Sequence, residues 1–151
     1  MANKHTWEES AATSLTTILS TDLNALADAT LSAVSSEVDN TTALDTYFWL
    51  ELVTGTLQDA ATVGKTVDIY WIKSIDGTSY EEAPVTGGAN DGAKFLDSCE
   101  YKAAKTARRF VLGPYAMPPM KLKFYVDNNC EGQFAATGNT LKISTQTLET
   151  Q

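Results

Sequence analysis

Histidine is almost absent from this chain: His5 is the single one. A Ser-His-Asp triad or a His-ligated metal centre needs the imidazole fixed beside its partners inside a folded site. One His in a polar stretch near position 1 does not supply that. Cysteine is nearly as scarce. Cys99 and Cys130 cannot make a disulfide framework, and neither belongs to a CxxC pair of metal-ligating spacing. They read as free, partly buried thiols of a protein made in a reducing cytosol, with a bridge between adjacent strands as the alternative. Long apolar runs are missing too. No segment approaches the ~20 residues that cross a bilayer, and MANKHTWEESAATSL at the start lacks the apolar core of a signal peptide. The expectation is a protein without membrane contact, made without Sec-type export.

Positive charge is also in short supply. Eleven Lys and Arg against nineteen Asp and Glu leave a net charge of −8. Nucleic-acid binders neutralise phosphates with basic patches, so DNA and RNA are poor partners for this chain. The few cations are unevenly placed: Lys102, Lys105, Arg108, Arg109, Lys121 and Lys123 fall in one short region. That region reads either as a solvated strand face or as a docking face for an acidic protein. A catalytic carboxylate pair needs only two Asp or Glu, and Glu51, Asp68, Glu81 and Glu82 are candidates. Acids are common on an acidic surface, however, and the expectation is a protein that is not an enzyme. PVTGGANDG, residues 84–92, has the glycines of a phosphate or calcium loop. It has neither the Lys of the first nor the repeating acids of the second, so no metal or cofactor is expected.

What the chain does have is strand pattern. Its 151 residues suit one domain that buries about 70% of its unfolded surface. Thr is abundant and favours strands. Residues 44–53 put Phe48, Leu50 and Leu52 on one face and Tyr47, Trp49, Glu51 and Val53 on the other. Residues 67–75 put Val67, Ile69, Trp71 and Ile75 on one side and Tyr70 and Ile72 on the other. Strands apolar on both faces are covered twice, so Tyr47, Trp49, Tyr70 and Ile72 should not lie bare to solvent. Asp76-Gly77 marks a tight turn. Residues 94–101 and 108–112 are further strands, the second ending at Gly113-Pro114. In 120–127, Met120, Leu122, Phe124 and Val126 point in, and Lys121, Lys123, Tyr125 and Asp127 point out. Asn128-Asn129 opens a turn, and 140–147 is the last strand, with Leu141 and Ile143 inward. Residues 29–40 alternate loosely as a strand near an edge.

The segment before these is different. Leu15, Ile18, Leu19, Leu23 and Leu26 share a helical face, although Thr16, Thr17 and Thr21 weaken a helix. Residues 1–22 are therefore expected to be an N-terminal arm or short helix, with Trp7 as an anchor. Residues 23–151 are expected to be an all-β domain. The expected architecture is an antiparallel β-sandwich of about seven to nine strands, jelly-roll-like or Ig-like in topology.

Four stretches, DTYFWLELVTGTL, DIYWIKSIDGTSYEE, RRFVLGPYAMPPMKLKFYVDN and AATGNTLKI, resemble the small structural proteins of tailed phages. Members of that family share the shapes (L/I)ELVLG, SLDGTNY, PLPPGKFKF and ASGNTLKY. The resemblance covers roughly residues 23–145. The chain departs from it with Met117 and Met120 around Pro118-Pro119 and with Trp49 and Trp71 in the central strands. Some members are capsid decoration (cement) proteins, and others sit on fibres or tails. The resemblance implies a virion protein on the capsid surface, made in the host cytoplasm. It implies the major capsid protein as partner and a homotrimer as assembly. The interface residues it suggests are Trp7, Leu15, Ile18, Tyr47, Trp49, Arg108, Arg109, Lys121 and Lys123. The alternative is a carbohydrate- or receptor-binding module of a fibre or tail, with Tyr80, Tyr115 and Tyr125 stacking on sugars.

Overall fold

The computed structural model describes residues 5–8, 15–82, 93–102 and 104–150, the strands at 5–8 and 148–150 by their backbone only. Among the described residues ten strands follow one another: β1 (His5–Glu8), β2 (Thr16–Leu19), β3 (Thr30–Leu31), β4 (Val38–Asp39), β5 (Tyr47–Thr54), β6 (Thr66–Ser74), β7 (Lys94–Glu100), β8 (Arg108–Ala116), β9 (Lys121–Asn129) and β10 (Thr140–Thr150). They form two antiparallel sheets. Sheet I has the order β1-β10-β5-β8, with β2 also on β10. Sheet II has the order β3-β9-β6-β7, with β4 also on β9. The fold is an antiparallel β-sandwich. Among the long strands only β6 and β7 are neighbours in both chain and sheet. Every other connection from β5 onward crosses between the layers.

The period-two pattern explains why. Phe48, Leu50 and Leu52 of β5, Val67 and Ile69 of β6, Leu122, Phe124 and Val126 of β9 and Leu141 of β10 are all fully buried between the sheets. Phe48 sits at the centre, with ring centroids 5.2 Å from Tyr115, 5.8 Å from Phe124 and 5.9 Å from Trp71. At one end Tyr101 is buried against Phe110, and its hydroxyl meets that of Thr54 at 2.5 Å. Cys99 and Cys130 are both free and buried in this core.

Several expectations need correction. The helical spacing of residues 15–26 folds as β2 and a single 3-10 turn, Thr21–Leu23. Pairing with β10 satisfies the backbone of the β-branched Thr16 and Thr17 better than an isolated helical turn could. Ile18, Leu19 and Leu23 thereby join the core. Residues 29–40 give two short strands, not one. Between them Ser32 and Ser35 each donate a backbone N–H to β9, to Val126 and Phe124, and their hydroxyls accept the N–H of the same two residues at 3.0 and 2.9 Å. Serine oxygens thus replace carbonyls where the chain leaves the ladder. β8 does not stop at Gly113-Pro114 but runs through it, over a cis peptide. Proline is tolerated there because, among the described strands, β8 pairs with β5 alone, on the outer edge of its sheet. Gly113 has φ +113°, and a Cβ there would stand 2.9 Å from the Phe48 carbonyl oxygen. Asn128 and Asn129 end β9 rather than opening a turn. The buried Asn128 amide donates to Leu26, Ala27 and Gly132. Ile75, expected inside, is 87% exposed beyond the end of β6.

The other outer edge, β7, is blunted in a different way. A bulge interrupts its pairing with β6 between Ile69 and Tyr70. Asp97 turns inward across from Ile69, where the Tyr115 hydroxyl of β8 donates to its carboxylate. A bulge and an inward charge both discourage strand addition at an exposed edge. Burial, then the hydrogen bond to Asp97, push the Tyr115 phenol pKa up.

Candidate docking face

Each sheet has an outer face, and the two are finished differently. On sheet II, Leu31, Ile72 and Tyr125 form a second small core, with Tyr70, Tyr80 and Ala93 packed on it. The chain after β6 supplies the roof. Asp76 accepts N–H bonds from Thr78 and Ser79 and the Ser74 hydroxyl, which turns the chain back. The Glu81 N–H then donates to the Lys73 carbonyl, and the Lys73 N–H to the Glu81 carboxylate. The Tyr80 hydroxyl donates to Glu37, and Lys123 lies 4.1 Å over the Tyr80 ring. Lys121 bridges Glu37 at 2.7 Å and Asp39 at 3.6 Å. The Lys121 bond, then that from Tyr80, hold the Glu37 carboxyl below its usual range.

On sheet I, strand register puts Tyr47, Trp49, Glu51 and Val53 of β5 on the outside. Beside them are Arg109 and Val111 of β8 and Thr140, Lys142, Ser144 and Gln146 of β10. Val111 is 66% exposed, while Trp49 is half-buried. The Trp49 indole edge lies against the position where Gly113 lacks a side chain. Glu51 is directly opposite Val111 on one side and Lys142 on the other. Its carboxylate is almost wholly screened: the Arg109 Nε donates to Oε2 at 2.6 Å, a guanidinium Nη2 bonds the same oxygen, and Lys142 reaches Oε1 at 3.5 Å. The Arg109 side chain is itself 67% exposed. From Thr140 to Gln146 and along β5 and β8, the outward charges are these three: two cations and one buried carboxylate.

The interface residues expected from sequence do not form one surface. Tyr47, Trp49 and Arg109 come together on the outside of sheet I. Arg108 has the opposite parity, paired with the inward Thr54. Lys121 and Lys123 lie on the far sheet, occupied by Glu37, Asp39 and the Tyr80 ring. Lys105 is tied to the Gln58 carbonyl. The run of cations is contiguous only in sequence. Alternating strand faces and a crossover between sheets divide it, and carboxylates pair with Arg109 and Lys121. Ile18 is a core residue, which accounts for its hydrophobicity without a partner, and Leu15 is half-buried ahead of β2. Trp7 lies in β1, paired by backbone with Leu148. Its side chain falls outside the described residues, as does the 84–92 loop. Lys142 and Val111 were missed by sequence reasoning. The one available signal was Glu51, a single acid in the apolar run YFWLELV, which calls for a cationic neighbour.

Other chemistry is dispersed. Glu51 and Asp68 lie on the outsides of opposite sheets, and Asp68 accepts from the Asn129 amide. Glu81 is engaged by Lys73 and Lys94. Among the described residues no group of three His, Cys, Asp or Glu is placed to hold a metal. No helix of the described residues is long and apolar enough to cross a membrane. Of the tyrosines considered for sugar stacking, Tyr125 is buried, Tyr115 turns inward to Asp97, and Lys123 covers a face of Tyr80. No family model, curated protein or solved structure matches the chain.

Proposed function

We propose that this chain is a non-enzymatic structural protein of a tailed-phage virion. It decorates the capsid exterior, with the major capsid protein as partner, and stabilises the assembled shell. One observation carries the reading. Among the described residues, the chain roofs the outside of one sheet with its own side chains, while the other outer face presents the exposed Val111 and Arg109 beside Val53 and the half-buried Trp49. A sheet with an apolar outer face is a surface for another protein. The resemblance of four motifs to small phage structural proteins supports the choice of partner. The motifs themselves do geometric work: Asp76-Gly77 turns the chain into the roof, and Gly138, with φ +84°, turns it into β10. A protein that binds only the assembled shell stabilises it by mass action, without chemistry. Trimeric assembly around local three-fold positions belongs to the same proposal.

Sedimentation with purified expanded capsids tests this. The expected result is saturable co-sedimentation, abolished by Val111→Glu in a variant that keeps the wild-type circular dichroism. Absence of capsid affinity, together with saturable binding to host cells or glycans, overturns it in favour of the receptor-binding reading.

A further inference from the structure

We infer that Arg109, oriented by Glu51, is a carboxylate receptor on the outer face of sheet I, and that its partner is an acidic protein surface with apolar side chains beside the acid. The inference rests on the reading of this face as a docking face and names the chemistry it accepts.

Three observations point there. First, Glu51 is an almost fully buried carboxylate in the middle of an outward-facing strand surface. Its desolvation is offset by two cations, so its position is fixed by Arg109 and Lys142 and fixes them in turn. Second, Glu51 occupies only the Nε–Nη2 edge of the guanidinium. The remaining N–H groups belong to a side chain that is two-thirds exposed, and among the described residues Glu51 is the only partner of Arg109. A guanidinium held on one edge presents the other as a planar fork, which matches a carboxylate in two parallel hydrogen bonds. Third, the surroundings select the kind of acid. Val53 lies opposite Arg109 and Val111 opposite Glu51, with Trp49 beyond, so a ligand reaching the fork also covers apolar surface. Along β5, β8 and residues 140–146 this face carries two cations and one acid, in a chain of net charge −8. It is thus the complement of an acidic protein. A nucleic acid would meet the repulsion of the rest of the molecule.

Glu51 is a positioning residue here, and Arg109 makes the contact. Lys142 adds charge at the longer distance of 3.5 Å from Glu51, and its ammonium offers no planar fork.

Solution NMR of the full chain provides the test, with two capped peptides as probes: Ac-Leu-Glu-Leu-Glu-Leu-amide and its Gln counterpart. The acidic peptide is expected to shift the Arg109 Nε–H and Trp49 indole signals saturably, and the shifts should fade as salt is raised. The Gln peptide should bind about tenfold more weakly. Arg109→Lys, which keeps the charge beside Glu51 but removes the fork, should lose a comparable factor. Glu51→Gln, checked for folding by its amide spectrum, should weaken binding while leaving Arg109 in place. Equal shifts from both peptides overturn the inference, as do shifts centred on Lys102 and Lys105, undiminished binding by Arg109→Lys, or a preference for a single-stranded oligonucleotide. Peptide binding without capsid binding would remove the capsid as partner and leave the receptor standing. Capsid binding with none of the peptide effects would do the reverse.

Discussion

At the scale of single residues, the polar groups buried or bound in this molecule serve geometry. Asp76 shows it most clearly. Backbone N–H groups of Ser79 and Thr78, then the Ser74 hydroxyl, lower its carboxyl pKa from 3.8 to about 2. A depressed folded pKa means that the ionised form stabilises the fold at neutral pH. That contribution is complete above 3.8 and is lost as pH falls through about 2. Asp76→Asn should therefore lower the melting temperature at pH 7, and its gap from wild type should close as the pH is taken from 4 to 2. A gap independent of pH would assign the effect to the turn's shape. The thiols behave oppositely. Burial, then the charges of Asp97 and Asp68, push Cys99 up to about 12, and burial raises Cys130. A thiol is nucleophilic only as thiolate. Neither should react with a disulfide reagent at pH 8 in the native protein, and both should react once the chain is unfolded in guanidinium.

At the scale of elements, β5, β6, β9 and β10 were legible because alternation and burial coincide in them. Their inner faces follow directly from Phe48, Leu50, Leu52, Leu122, Phe124, Val126 and Leu141. None of Tyr47, Trp49, Tyr70 and Ile72 is bare, as expected; Ile72 and Tyr70 lie under the roof of sheet II, while Tyr47 and Trp49 are half-buried on the outside of sheet I. The missed features depend on partners distant in sequence. Nothing local announces that the hydroxyls of Ser32 and Ser35 stand in for carbonyls along β9. Nor does the Gly113-Pro114 pair reveal that β8 lies at an edge, where the missing N–H of proline costs no ladder bond. The candidate face was half legible for the same reason. Tyr47, Trp49 and Glu51 share one strand face, but Arg109 joins Glu51 across 58 positions of chain. The serine bridge has a measurable weight. Ser32→Ala and Ser35→Ala each strip a buried β9 N–H of its acceptor and should cost about 1–3 kcal/mol. Urea unfolding checks this. Costs below a few tenths of a kcal/mol would show that the neighbouring carbonyls take over.

At the scale of the whole molecule, one core joins both sheets. It runs from Ile18 and Leu23 through Phe48, Ile69 and Phe124 to Leu141 and Ile143. A core shared this widely predicts one cooperative transition, with tryptophan fluorescence and far-UV circular dichroism coinciding. Leu141→Ala, at a fully buried position, should shift both together and cost about 2–5 kcal/mol. Separated transitions would mean that the two layers unfold independently.

The place of β10 carries a further consequence. It lies between β5 on one side and β2 and β1 on the other, yet it follows every other strand in the chain. As the protein leaves the ribosome, β5 and β2 emerge long before the strand that unites them. A nascent chain that ends after β9 carries unpaired edges on both sides of a gap and cannot close its core. Folding therefore waits for the translation of residues 140–146. Until then the polypeptide is a client for chaperones, exposed to proteases and to neighbouring nascent chains. Copies cut short before β10 are expected to be degraded by cellular proteases before they fold.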